Sequence, residues 1–174
     1  MEDDSQTTNV MMKNRSRVTS PDSIAPCGMN CSLCRAYGRE RKPCPGCRGD
    51  DSMKTKTRLT CRIKNCKKIM EGEIFYCFGC GDFPCETLCH LDSRYRTKYG
   101  MSMIENLKSI NKSGIGEFVK KEKDRWACRQ CGEIVCVHKP ECCFCGHIWN
   151  QGAISVAFSK DDLTENPSGH LPAR

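Results

Sequence analysis

Bulky core-forming side chains are scarce in this sequence. Leu, Ile, Val and Phe together number 29 of 174 residues, about 17%, and a chain with fewer than roughly one in five struggles to build an apolar core. Long apolar runs are missing as well. None approaches the roughly 18 residues that a membrane span needs, and no membrane association is expected. The opening MEDDSQTTNV and MMKNRSRVTS are polar, so no secretory leader is read there and the cytoplasm is the expected compartment. Histidine is limited to His90, His138, His147 and His170. HExxH, a Gly-rich phosphate loop and a Ser-His-Asp order are all absent. These absences weigh against an enzyme without deciding the matter, and no small-molecule substrate is identified.

Cysteine is what the chain has instead, seventeen in all. Thiols stay reduced in the cytosol, and an odd count would leave one unpaired in any set of disulfides. Many occur as C-x2-C, which suits metal ligands. The formal charge of +7 invites a nucleic-acid partner. However, it counts the thiols as neutral, and metal ligands are thiolates. Four thiolates on one Zn²⁺ carry a net −2, so three such sites reduce the charge to about +1.

The cysteines divide the chain. Residues 1–23 and 150–174 are polar and read as tails. Residues 24–90 form a cysteine-rich multi-metal domain, 91–125 a cysteine-free helical segment, and 126–149 a ribbon. Short helices are expected after Cys31 and Cys61. A longer one is expected over 83–99, capped by Asp82 with Pro84 in its first turn. Leu88, Leu91, Tyr95 and Tyr99 then share one face. Ser102 and Glu105 are spaced as a capping box, and Gly114 and Gly116 separate the helix that follows from the next, which carries Phe118 and Val119.

The strongest motif is WACRQCGEIVCVHKPECCFCGHIW. Cys128 and Cys131 form one knuckle and Cys142 and Cys145 another, each followed by a glycine that permits positive φ. Two such knuckles place four sulfurs around one tetrahedral ion, a zinc ribbon, with short strands expected in EIVCVH and HIW. A single iron would fit the same cage. Cys136, His138, Cys143 and His147 could form a second ion site, or Cys143 could be a small buried residue.

Between 27 and 90 the candidate ligands are Cys27, Cys31, Cys34, Cys44, Cys47, Cys61, Cys66, Cys77, Cys80, Cys85, Cys89 and His90. The simplest grouping joins neighbouring pairs: Cys31 and Cys34 with Cys44 and Cys47, then Cys61 and Cys66 with Cys77 and Cys80. Cys27, Cys85, Cys89 and His90 remain as a third set. Spacing alone leaves interleaved groupings open. The run CGMNCSLC has the cluster spacing of radical S-adenosylmethionine enzymes, but no alternating barrel pattern follows it. The ferredoxin cysteine run is absent too. Zinc at three or four sites is the expected cofactor, with an iron–sulfur cluster as the alternative. Cys85, Cys89 and His90 are the one corner where an open catalytic zinc is conceivable.

APCGMNCSLCRAY, CPGCRG, CRIKNC and FYCFGCGDFPCETL resemble, in that order, the cysteine-rich family called domain of unknown function 3795. The resemblance covers about 24–90, and in the longer form runs through the ribbon to about 149. It implies metal binding through Cys27, Cys31, Cys34, Cys44, Cys47, Cys61, Cys66, Cys77, Cys80 and Cys85, with no assigned activity. Cys89 and Cys143 fall outside its pattern.

The expected protein is a small, metal-stapled α+β fold: short helices and cysteine knuckles, then a helical segment and a C-terminal zinc ribbon. Its expected role is an interaction or adaptor module with a protein partner. The alternatives are nucleic-acid binding, for which RYRTKYG at 94–100 mixes basic and aromatic residues, and iron–sulfur or thiol redox chemistry.

Overall fold

The structure is a computed structural model and describes residues 16–149. Most of the expected N-terminal tail and all of the C-terminal one lie outside these residues. Residues 16–23 do not behave as a tail. Arg17, Thr19 and Ser23 are buried, and the Arg17 guanidinium donates through Nη1 to the carbonyls of Ser32 and Cys34 at 2.7 and 2.8 Å.

The cysteine-rich segment contains little regular structure. Two single-turn helices, α1 (Lys56–Leu59) and α2 (Lys67–Met70), stand among 3-10 turns at Cys31–Leu33 and Cys77–Gly79. The helix expected after Cys31 is a single 3-10 turn, Cys31–Leu33. Three longer helices follow: α3 (Glu86–Tyr99), α4 (Met103–Ser113) and α5 (Ile115–Trp126).

The helix starts differ in detail from expectation. α3 begins three residues later than the pattern suggests, with Cys85 at its N-cap. Asp82 does not cap it, because its carboxylate accepts from Lys68 Nζ at 3.1 Å. At α4, Ser102 Oγ accepts the Glu105 amide at 3.1 Å. The capping box stays half-formed, because the Glu105 carboxylate turns to Arg96 at 2.8 Å. Ser102 instead donates to the buried Asp92 carboxylate at 2.7 Å, which fastens α4 to α3.

The α+β expectation is not met. Among the described residues the only β pairings are isolated bridges, Ile24 with Asn30, Ala127 with Ile134 and Glu141 with Ile148. The ribbon segments that read as strands are too short between knuckles to build a ladder, and each contributes one bridge. The fold is helical, with a four-cysteine cluster near its C-terminal end.

One core joins the cysteine-rich segment, the helices and the ribbon. Ile24, Leu33, Leu88, Met101, Met103, Leu107, Trp126 and Val137 lie in it, all at most 1% exposed, together with the cysteines Cys27, Cys31, Cys128 and Cys142. Cysteine thus stands in for part of the missing aliphatic volume. A close contact within this core is at Gly28, whose φ is +82°. A Cβ there would sit 2.6 Å from the Met103 carbonyl oxygen and 2.8 Å from Leu107 Cγ, so α4 lies directly on the loop beside Cys27.

A polar network crosses the same interface. Buried Asn30 donates through Nδ2 to Glu122 at 3.1 Å and accepts through Oδ1 from the Ser32 amide and hydroxyl. Trp126 Nε1 donates to the other Glu122 oxygen at 3.2 Å. Burial pushes the Glu122 carboxyl up, against the pull of Arg125, Asn30 and Trp126. Its ionised form therefore depends on these partners.

Two substitutions test this packing. Gly28→Ala adds both overpacking and a strained φ, and is expected to cost about 3 kcal/mol in denaturant unfolding of the metal-loaded protein. Asn30→Ala leaves a buried carboxylate and the Ser32 groups short of partners, for a similar loss of about 3 kcal/mol.

Candidate metal centre

The ribbon knuckles form a matched pair. In the first, the Gly132 amide donates to the Cys128 carbonyl at 2.8 Å and the Cys128 amide to the Glu133 carbonyl at 2.8 Å. In the second, the Gly146 amide donates to the Cys142 carbonyl at 3.0 Å and the Cys142 amide to the His147 carbonyl at 2.8 Å. Gly132 and Gly146 have φ of +76° and +72°, which glycine adopts freely. Each knuckle thereby turns its amides toward sulfur, and the Phe144 amide lies 3.5 Å from Cys142 Sγ.

The four sulfurs of Cys128, Cys131, Cys142 and Cys145 all lie within 4.8 Å of one another. Two of the edges, Cys128 to Cys145 and Cys131 to Cys142, are 3.7 Å. Metal–sulfur bonds of about 2.3 Å in a tetrahedron place neighbouring sulfurs about 3.8 Å apart. The cage therefore fits a tetrahedral thiophilic ion. Cys128 and Cys142 are buried, whereas Cys131 and Cys145 face solvent.

Without a cation the four groups compete for protons. Burial opposes ionisation of Cys128, but the amides of Cys131 and Gln130 and the neighbouring thiols bring it down to about 7. The Glu133 amide favours the Cys131 thiolate, yet burial and the other three sulfurs outweigh it and push Cys131 up to about 12. Burial also raises Cys142.

The other candidate ligands are dispersed around the N-terminal half. Cys27 and Cys31 are buried, Cys34, Cys44, Cys47, Cys61, Cys66, Cys77 and Cys80 half-buried, and Cys85 and Cys89 exposed. The structure brings Cys31 and Cys47 together, with the Cys47 amide 3.4 Å from Cys31 Sγ. The hydrogen bond from Cys31 lowers Cys47 to about 7, helped by Lys54, Lys64 and Arg48 against burial. Cys31 is raised in turn, first by the same bond and then by burial.

Cys27 is raised by burial and then by the nearby Cys47, Cys77 and Cys61. Burial takes Cys77 up to about 12, with added repulsion from Cys85, Cys66 and Cys80. Cys27 thus lies near Cys47, Cys77 and Cys61, and Cys77 near Cys85, Cys66 and Cys80, but among the described residues only the ribbon cysteines bring their sulfurs together as a metal-sized group. Cys80 Sγ receives the Asp82 amide at 3.4 Å and Lys68 Nζ at 3.3 Å, donors of the kind that stabilise thiolates. The set Cys27, Cys85, Cys89 and His90 is not gathered. Cys89 Sγ turns to the Pro84 carbonyl at 3.7 Å, and the exposed His90 ring faces Glu86 at 3.4 Å.

The second ion site suggested for the ribbon does not form around His138. Its Nδ1 accepts the Arg35 amide at 3.3 Å, its Nε2 meets Tyr95 Oη at 3.2 Å, and Tyr99 packs edge-on with ring centroids 4.9 Å apart. Both tyrosines of RYRTKYG thus pack against His138. His147 is exposed. Cys136, 0% exposed, pairs instead with Cys143. The hydrogen bond from Cys136 lowers Cys143 to about 6, with Lys139 and Arg17 adding to it against burial. Sequence reading missed Arg17 at this place, since nothing local to residue 17 points 126 positions ahead.

All seventeen cysteines are free thiols. No described helix is long and apolar enough to cross a membrane. Residues 23–90 match the family model described as Protein of unknown function (DUF3795). No curated protein and no solved structure matches the chain.

Metal loading of the ribbon has a defined pH dependence. Cys131 and Cys142 hold protons at pH 7 in the metal-free chain, so binding must release them and affinity must fall as pH falls. Calorimetry of Zn²⁺ binding in buffers of different ionisation enthalpy should show this proton release. Cys145→Ser should remove one bound metal per chain.

Proposed function

We propose that this chain, whose residues 23–90 make up a domain of that family, is a zinc-stapled protein-interaction module. The observation that carries the metal part is the tetrahedral spacing of the Cys128, Cys131, Cys142 and Cys145 sulfurs. Zinc suits an all-sulfur cage without open positions, where its role is structural. The N-terminal cysteines, all free thiols, would hold further ions, three or four per chain in all. A cage fully occupied by protein sulfur leaves no coordination position for a substrate, which favours a scaffold over a catalyst.

The interaction part is supported by side chains the fold leaves outside. Met70 is 65% exposed and Phe75 64%, within one short stretch between Cys66 and Cys77. The Arg48 guanidinium stacks over the Phe75 ring at 3.6 Å and ties it by a hydrogen bond to the Phe75 carbonyl. An exposed aromatic held in place beside a cation resembles the anchors that protein interfaces favour.

Two measurements test the proposal. Anaerobically purified protein should be colourless and contain three or four zinc ions. Iron with sulfide and visible absorbance would replace the zinc reading by an iron–sulfur one. Tagged wild type should co-purify a defined protein that the Met70→Glu, Phe75→Ser variant loses while keeping its zinc. Identical co-purifying proteins from both would overturn the interaction surface.

A further inference from the structure

Beside the ribbon lies an open cavity of about 440 Å³. Its walls carry five cations, Arg17, Arg35, Arg39, Arg41 and Lys139, against one carboxylate, Glu40. Among the described residues none of the five is ion-paired, not even with Glu40. Elsewhere on the molecule Lys64, Lys68 and Arg96 each meet a carboxylate within 3.1 Å. The positive charge at this cavity is left unneutralised by the fold.

Arg17 is built into the floor. It is 4% exposed, and its Nη1 donates to the carbonyls of Ser32 and Cys34. Its Nε is buried and has no hydrogen-bond partner. Gly38 leaves the room it needs, because a Cβ there would collide with Nη2. Burying a charge without a counter-charge is costly, and no carboxylate of the described residues supplies one. The two carbonyls hold the guanidinium in place whether or not a ligand is present. Around it Arg35, Arg39 and Arg41 are exposed. A fixed donor with capacity to spare, at the base of a cluster of cations, is an anion site.

We propose that this cavity binds a small anion bearing two or more phosphate groups. Five cations against one carboxylate leave four net positive charges, more than a monovalent anion neutralises. The planar fork of arginine matches phosphate oxygens, and the volume is in the range of small-molecule sites. The lining has no aromatic and no long aliphatic side chain, so nothing is there to hold a base or an acyl chain. The phosphates are therefore the recognised part. A nucleic-acid strand fits less well, because its backbone would have to reach down to Arg17 and finds no ring on which to stack its bases. The Cys143 thiol also lines the cavity, and binding asks nothing of it. Arg17 precedes the cysteine-rich segment, Arg35, Arg39 and Arg41 lie within it, and Lys139 belongs to the ribbon. A bound polyanion thus bridges the ribbon to the rest of the chain, whichever metal the ribbon holds.

The test is calorimetric titration of full-length, metal-loaded protein with inorganic pyrophosphate at low salt. Saturable binding of one pyrophosphate per chain is expected, with the metal retained and the affinity falling as salt rises. Reversing the exposed pair Arg39→Glu and Arg41→Glu should weaken binding about tenfold or more. Reversing Lys121→Glu and Lys123→Glu, exposed on α5 and outside the cavity lining, changes the net charge equally and should leave the affinity within about twofold. Neither pair relies on a buried substitution folding correctly. Arg17→Lys keeps the charge but loses the fork, and should weaken binding in chains that keep their metal. ADP should bind no more tightly than pyrophosphate, since the wall offers its base nothing. Absence of saturable binding would overturn the proposal, and so would equal loss in the two double variants. A clear preference for ADP, or displacement of pyrophosphate by an equimolar single-stranded oligonucleotide, would overturn it as well.

Discussion

Four thiols cannot sit 3.7–4.8 Å apart for their own sake. As thiolates they repel strongly, and as thiols they make only weak hydrogen bonds. A divalent cation turns that repulsion into bonding, at an apparent ~10–16 kcal/mol for a structural zinc site, coupled to folding. Such a term exceeds the net stability of most domains. On the proposed reading the ribbon beyond residue 126 draws on such a term, since its β pairing among the described residues is limited to two isolated bridges.

Once fixed, the ribbon closes one side of the molecule. The Val137 amide donates to the Leu33 carbonyl at 3.0 Å, and the Val135 amide to the Trp126 carbonyl at 2.9 Å. Trp149 meets Trp126 edge-on at 5.8 Å. These contacts reach both the cysteine-rich turn at 31–33 and the end of α5. The few large apolar side chains are thus concentrated at one junction, where Gly28, Asn30 and Glu122 set how closely helix and loop approach. The scarcity of aliphatic residues is met by concentrating them and by letting buried cysteines fill space among them.

The ribbon cage was legible in the sequence because two knuckles and their glycines fix four sulfurs by local geometry alone. The helices over 86–126 were legible from their apolar spacing, although the start of α3 was not, because Lys68 claims the expected cap. Three features were hidden for one shared reason: they join residues far apart in the chain. Arg17 under Cys143, Glu122 on Asn30, and His138 between Tyr95 and Tyr99 leave no local pattern. The approach of Cys77 to Cys27 as well as to Cys66, Cys80 and Cys85 is invisible to spacing for the same reason. The expected strands failed because alternation over a few residues suits a single bridge as well as a ladder.

Native-state alkylation with mass readout, before and after chelation, tests the central claim most directly. Cys131 and Cys145 are solvent-exposed, so burial cannot shield them from reagent, whereas a bound ion can. The account predicts that Cys128, Cys131, Cys142 and Cys145 resist alkylation together, then react together when a strong chelator is added, as the helical signal falls. Rapid labelling of Cys131 and Cys145 in folded protein, at the same rate with and without chelator, would contradict it.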